Sequence, residues 1–244
     1  MKKLRQGWLC LRISIIVCVH NEAPYLGRCL SSIFLTLEKA EAEPDVIVIC
    51  DRCSDDSAQL ARYFPVLVIE KKESRWRNSY AENLQMGLER ASGEFTAVVD
   101  ADIALEPDYF TKLLPSFRDP RVDSVSGRIL TEASGIFNRI YSIWERSYDI
   151  INLGREPRGG ARIYRTRELK EAGFRDVMAP DTEVDLRLKG KRRYLSDAIA
   201  LHTRRMTIGR AINGQIRAGM ARRELKSPFW RVLLHSILRL RPFV

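Results

Sequence analysis

The chain lacks the features that mark several large protein classes. No uninterrupted apolar stretch reaches the roughly 18 residues a membrane-spanning helix needs. The N-terminal MKKLRQGWLCLR is basic but has no apolar core before the first strand, so it does not read as a signal peptide. The expectation is a soluble cytoplasmic protein, or one bound peripherally on the cytoplasmic face of a membrane. Only five cysteines occur, at positions 10, 18, 29, 50 and 53. An odd, scattered set speaks against a disulfide framework and for a reducing compartment. Cys50-Asp51-Arg52-Cys53 has redox-motif spacing, but Cys50 closes an apolar run and reads as a strand residue. No second such pair completes a zinc site. Internal repeats, low-complexity tracts and an obvious interdomain linker are missing too.

What is present is globular. The 244 residues are 45% hydrophobic and 30% charged, enough for one large α/β domain or two small ones. Lys and Arg total 41 against 31 Asp and Glu, a net charge of +10. That balance suits nucleic acid, an anionic lipid surface or an anionic small substrate such as a nucleoside diphosphate. The basic residues are spread along the chain without a recognition motif, which argues against nucleic acid as the partner.

Apolar runs alternate with helical spacing. ISIIVCV (13–19), VIVIC (46–50), VLVIE (66–70) and FTAVV (95–99) read as strands buried on both faces. Between them, residues from Tyr25 on, SAQLARYF and AENLQMGLERAS read as helices, the last closed by Gly93 as a C-cap. Further on, the pattern gives a helix after Pro107, a strand over VDSVSGRI, a helix over SGIFNRIYSIWERSYDIIN, a strand from GGARIYRT and a helix over RELKEAG. Strand–helix alternation of this kind implies a mostly parallel, Rossmann-like sheet with helices on both faces. Ligands of such sheets lie at the carboxyl ends of the strands. Here those ends carry His20-Asn21-Glu22, Asp51-Arg52, Glu70-Lys71-Lys72 and Asp100-Ala101-Asp102.

Asp100 and Asp102 are the sharpest signal. Ionised carboxylates enter an apolar setting only when paired or bound to a metal. Past the strand end, two carboxylates one residue apart can converge on one hard divalent cation, Mn²⁺ or Mg²⁺, with substrate phosphates completing its shell.

Five segments, in order, carry a resemblance: SIIVCVHNEAPYLGRCLSSI, VIVICDRCSDDS, NSYAENLQMGLERASGEFTAVVDADI, RGGARIYRTRELKEAGF and PDTEVDLRLKGKRRYLSDAIALH. They cover about residues 13 to 202, and together they resemble the family 2 glycosyltransferases of GT-A fold, inverting enzymes that use nucleotide-sugar donors. The resemblance implies a GT-A domain over 1–205, with a nucleotide-binding half at 12–103 and an acceptor-side half at 104–205. A basic, amphipathic helical tail follows over 206–244. It implies donor contacts from Asn21, Glu22 and Asp51, with Asp51 on the base. Asp100 would face the ribose and share the metal, and Asp102 would ligate it directly. Gly159-Gly160 would form the turn that lets backbone approach the donor sugar or acceptor. Registering on RLKG places Asp181 on the general-base position, with Pro180 where relatives carry Glu. Glu183 is the alternative base and Asp185 a weaker one. The same residues also suit a helix start, with Asp181 or Thr182 as N-cap. His202 falls where many relatives complete the metal site or touch the diphosphate. A hydrogen-bonded strand-end histidine without chemistry fits that place equally well.

The sequence departs from the family at Glu82, where relatives often carry Arg. Arg75, Arg77 or Lys72 would then supply the cation. The Gln-x-x-Arg-Trp motif of processive synthases is missing, and GQIRAG (214–219) is a faint echo, which points to single-sugar transfer. Gln215, Arg217 and Arg204-Arg205 would form a basic flap over the diphosphate, although a solvated basic helix face accounts somewhat better for any single one of them. The expected partners are a UDP- or GDP-type sugar and an acceptor such as a saccharide or polyprenyl phosphate. The tail SPFWRVLLHSILRLRPFV places Arg231, His235 and Arg239 on one stripe of an otherwise apolar helix, as in a helix lying on a membrane. The competing functions are a sugar-phosphate nucleotidyltransferase, which would want a Gly- and Arg/Lys-rich loop where HNEAPYLGRC stands, and a nucleic-acid binder.

Overall fold

The protein is described by a computed structural model over residues 11–132, 135, 138, 139, 160–205 and 207–225. The helix expected over SGIFNRIYSIWERSYDIIN, Gly159, Cys10 and the tail beyond Leu225 lie outside these residues, apart from Gly135, Asn138 and Arg139. Eight strands form one sheet: β1 Arg12–Val19, β2 Glu43–Asp51, β3 Leu67–Lys71, β4 Phe95–Val99, β5 Ile103–Leu105, β6 Val122–Thr131, β7 Ala161–Arg165 and β8 Lys191–His202. Their spatial order is β3-β2-β1-β4-β7-β6-β8-β5. The described helices are α1 Ala23–Lys39, α2 Ser57–Ala61, α3 Ser79–Arg90, α4 Tyr109–Leu113, α5 Thr166–Ala172, α6 Pro180–Arg187 and α7 Ile208–Glu224. A 3₁₀ turn over Leu114–Arg118 extends α4.

The first half of the sheet, β3-β2-β1-β4, is wholly parallel. The centres of β1 and β2 and all of β4 are buried because both faces are covered. Ile13, Ile15 and Val17 of β1 pack with Leu26, Leu30 and Ile33 of α1, while Ile16 packs with Leu84 and Leu88 of α3. Burying each of these side chains is worth about 1.5–3 kcal/mol. Beyond β4 the sheet reverses. β7 runs antiparallel to β4 and β6, β6 pairs in parallel with β8, and β5 lies antiparallel on the outer edge of β8. The sheet is therefore mixed, with the functional strand ends of the parallel half meeting the start of β7.

Three local expectations change. α3 ends on Ala91, so Gly93 is not its cap. Gly93 instead allows a close crossing over β1: a Cβ there would stand 2.6 Å from the Ser14 nitrogen and 2.7 Å from the Arg12 oxygen. α6 starts two residues earlier than a cap at Asp181 requires, and three earlier than one at Thr182. Ala179 is its N-cap, and Asp181 and Glu183 sit within the first turn. Their charge suits the positive end of the helix dipole. Finally, α7 forms the first half of the expected tail, with Thr207 accepting a hydrogen bond from the Arg210 N–H as its N-cap.

Candidate active site

The ends of β1, β2 and β4, the start of α3, the turn into β7 and the first turn of α6 enclose a cavity of about 660 Å³. Its walls include Glu22, Asp51, Asp100, Asp102, Gly160 and Asp181, so six of the residues proposed from sequence share one space.

Asp51 closes β2 and is almost fully buried. Its carboxylate accepts hydrogen bonds from Ser79 Oγ, Asn83 Nδ2 (3.1 Å) and Arg52 Nε (2.9 Å), and Lys71 Nζ stands 3.6 Å away. Burial opposes ionisation, but bonds from Arg52, Ser79 and Asn83 and the Lys71 charge overcome it and hold the carboxyl down at about 2. Lys71 is the cation that sequence reasoning missed. Its Nζ donates to Ser79 Oγ (2.7 Å), Glu82 Oε2 (2.9 Å) and Asn83 Oδ1 (2.6 Å). Glu82 therefore has its own buried counter-ion, and it fastens the loop before α3 by accepting from the Arg75 N–H and Ser74 Oγ. Arg77, one of the expected replacements, pairs outward with Asp176 and Glu224. The available signal was register: Lys71 lies directly opposite Asp51 across the β2–β3 pair.

Asp100 follows β4 and accepts from Tyr80 Oη at 2.9 Å. Burial first, and the Asp102 charge second, raise its carboxyl to about 6. Gly160 adopts φ +103° beside it, and a Cβ there would approach Asp100 Oδ2 to 3.0 Å. The Asp100 N–H donates to the Gly160 carbonyl at 2.8 Å, joining β4 to β7 at the cavity. A side chain at 160 would meet both the strained backbone and the carboxylate.

Asp102 is reached from β8, because β5 pairs Ile103 with His202. His202 Nδ1 lies 3.6 Å from Asp102 Oδ2. Arg204 Nε donates to the same oxygen at 2.7 Å, and its Nη2 reaches Glu22 Oε1. The guanidinium also covers the Tyr25 ring at 5.3 Å. Burial works against the Asp102 charge, yet His202 and Arg204 lower its carboxyl to about 2. Glu22 is raised, chiefly by burial and against the pull of Arg204, and its Oε2 is buried without a hydrogen-bond donor. Arg204, expected as part of a diphosphate flap, thus ties two carboxylates together.

Asn21 stands at the rim rather than in the wall. Its φ is +56°, and its side-chain oxygen accepts from the Ser54 N–H (2.7 Å) and the Asp55 N–H (3.3 Å), clamping the β1 end to the loop after β2. Asp181 projects into the cavity, and among the described residues no hydrogen-bond or ion-pair partner engages its carboxylate. Arg162 of β7 fixes its helix: the buried guanidinium pairs with Asp185 and donates to the Asp181 carbonyl at 3.2 Å. Asp185 is therefore an anchor in the core. Glu183 points elsewhere, holding Arg187 bidentately with both contacts at 2.8 Å, and is not brought to the cavity. The Cys50–Cys53 pair is free, and burial pushes the Cys50 thiol up to about 12, which suits inert thiols.

The fold defined by these elements is that of GT-A glycosyltransferases. A mannosyltransferase from Pyrobaculum calidifontis, PcManGT, solved with GDP-Man and Mn²⁺, superposes with a TM-score of 0.67 at 17% identity, covering 98% of this chain and 72% of that one. S. aureus TarS 1-349 in complex with UDP-GlcNAc superposes at 0.58 and 18% identity, covering 86% and 66%. In sequence, Glycosyltransferase GlyA of Streptococcus pneumoniae is 28% identical over 169 residues, 65% of this chain but only 22% of GlyA. The chain thus spans about a fifth of that relative. The family model for glycosyl transferase family 2 matches residues 14–175, and the chain belongs to that family.

Proposed function

We propose that this enzyme moves a single sugar from a nucleoside-diphosphate sugar to an acceptor hydroxyl, with inversion at the anomeric carbon and with a divalent cation. The observation that carries the reading is the convergence of Asp51, Asp100, Asp102 and Asp181 on one cavity at the strand ends. The donors held by the two structural neighbours, GDP-Man and UDP-GlcNAc, support a nucleotide sugar of either base. Asp51, held ionised, is an acceptor for a base N–H, which uracil and guanine both offer. Residues 12–103 then act as the donor half and 104–205 as the acceptor half.

The donor set fits Mn²⁺ or Mg²⁺. Ionising Asp100 beside Asp102 is unfavourable without a cation, and Glu22 Oε2 is a buried acceptor lacking a donor. Among the described residues no three His, Cys, Asp or Glu groups stand close enough to hold an ion unaided. Asp102 and Asp100, with His202 beside them, would share it with the donor diphosphate, the habit of Mg²⁺ in phosphate sites. When bound, such an ion neutralises the departing diphosphate as a Lewis acid. Arg204 must release Asp102 Oδ2 for this, which frees its guanidinium for the diphosphate. Asp181 takes the acceptor hydroxyl proton, its unpartnered carboxylate being open to the cavity.

Incubation with UDP-, GDP- and dTDP-sugars plus Mn²⁺ tests the reading. Slow release of one nucleoside diphosphate is expected. No release and no nucleotide binding with any of them refutes it, and retained anomeric configuration in the product, seen by NMR, refutes inversion. Peripheral membrane contact is a separate part of the proposal. It rests on the Arg231, His235 and Arg239 stripe and the net charge of +10. Deleting residues 228–244 should end co-sedimentation with anionic liposomes while leaving donor hydrolysis measurable. Among the described residues no helix is long and apolar enough to cross a membrane.

A further inference from the structure

A second cavity of about 410 Å³ adjoins the first, and the two share Asn78, Tyr80 and Arg217 as lining residues. Its remaining walls are Arg77, Asp176, Val177, Met178 and Glu224. Almost every polar group here is already committed. Asp176 accepts from the Arg77 N–H (3.0 Å) and the Asn78 N–H (2.8 Å). Glu224 accepts from the Met178 N–H (2.6 Å) and Arg77 Nη2 (3.5 Å). Asn78 donates to the Val177 carbonyl and accepts from the Tyr80 N–H, and Tyr80 Oη is bonded to Asp100. Arg217 alone of the lining charges has no hydrogen-bond or ion-pair partner among the described residues. It projects from the middle of α7 and lines both cavities, whereas Asp181 lines the first.

We propose that the second cavity binds the acceptor and selects one that carries an anionic group, phosphate or carboxylate, close to the hydroxyl that reacts. This rests on the donor reading given above. A guanidinium presents a planar fork of donors that matches either anion bidentately. The donor diphosphate has Arg204 and the divalent ion for its own charge, whereas the second cavity offers an incoming anion only Arg217. Val177 and Met178 give the rest of the acceptor an apolar wall. In the reaction, the acceptor hydroxyl oxygen forms the new bond to the anomeric carbon and its proton passes to the Asp181 carboxylate. The bond from that carbon to the diphosphate breaks, and its electron pair leaves with the nucleoside diphosphate.

The test is calorimetry on the full chain, with Mn²⁺ and UDP or GDP held saturating and inorganic phosphate as the titrant. One phosphate should bind beside the nucleotide. Arg217→Met should weaken it by roughly tenfold or more, the weight of one charge-assisted contact, while Arg217→Lys retains part of the affinity. The nucleotide Kd should stay within about twofold in both variants, since a change there marks a contact to the donor. Arg217 is exposed, so the fold is not at stake, and circular dichroism confirms this. Phosphate that does not bind beside the nucleotide overturns the proposal. So does an Arg217→Met effect on nucleotide affinity with phosphate binding unchanged, which would assign Arg217 to the donor diphosphate. A protein that binds no nucleoside diphosphate refutes the donor reading instead, and this inference with it.

Discussion

In the parallel half of the sheet, two strands run apolar and then deliver a carboxylate, β2 with Asp51 and β4 with Asp100. In the mixed half, β8 is exposed along most of its first seven residues, and the proposed base, Asp181, sits on a helix held by a buried ion pair. Backbone geometry sets the carboxylates of the first half. Side-chain charge sets Asp181. The two halves should therefore fail differently: the first by losing chemistry on an intact fold, the second by losing fold and chemistry together.

The largest effect belongs to Asp102→Ala. Loss of the ion's Lewis-acid support should cost on the order of 10³-fold or more in turnover, with Mn²⁺-dependent nucleotide binding gone, the fold retained, and the melting temperature lowered only by the lost contacts to His202 and Arg204. Calorimetry with UDP and GDP, with and without Mn²⁺, checks it, and unchanged metal-dependent binding removes Asp102 from the site. Asp181→Asn should lower kcat by about 10²–10⁴-fold at unchanged nucleotide Kd. A larger kcat loss in Glu183→Gln would move the base two residues along α6.

The mixed half is probed by Arg162→Met, which leaves Asp185 buried and unpaired. Denaturant titration should show a loss of about 3–5 kcal/mol, and Arg162→Met with Asp185→Leu should recover most of it. If Arg162→Met melts like the wild type, charge does not hold α6. Just past β8, Arg204→Met should tighten Mn²⁺ binding to the nucleotide-free protein by roughly tenfold, because the ion no longer competes with it for Asp102. Electron paramagnetic resonance of free Mn²⁺ measures this, and weaker binding would make Arg204 a supporter of the ion.

The smallest effect is on pH dependence. Asp100 is raised to about 6 in the folded protein, so between about 4 and 6 the folded state binds more protons than the unfolded chain, and stability falls as pH rises. Asp51 and Asp102, lowered to about 2, act in the opposite sense, and their contribution is lost as pH falls below about 4. Asp100→Asn should therefore raise the melting temperature of the metal-free protein above pH 6 and leave it unchanged below pH 4. An equal gain at both would show that burial does not penalise the charge.

This contrast also explains what could be read in advance. β4 was legible to its ends, because FTAVV is buried on both faces and no other element fits such a run. The cluster at the strand ends followed from that topology. β5 was not legible, since three residues carry no period, and KRRYLSD of β8 is polar because its order comes from backbone pairing with β6. Glu82 read as a missing cation because it lies on α3 while its partner, Lys71, closes strand β3. Arg204 was seen as a free charge because its contacts to Asp102 and Glu22 need β5 and β8 to meet first.

Glu132 and Gly160, far apart in the chain, are both fastened beside the carboxylates at the strand ends. The Glu132 N–H is bonded to the His202 carbonyl, and the Gly160 carbonyl receives the Asp100 N–H. Both are main-chain bonds, so they act as rivets at the rim of the cavity whatever side chain stands at 132, whereas position 160 also needs its glycine.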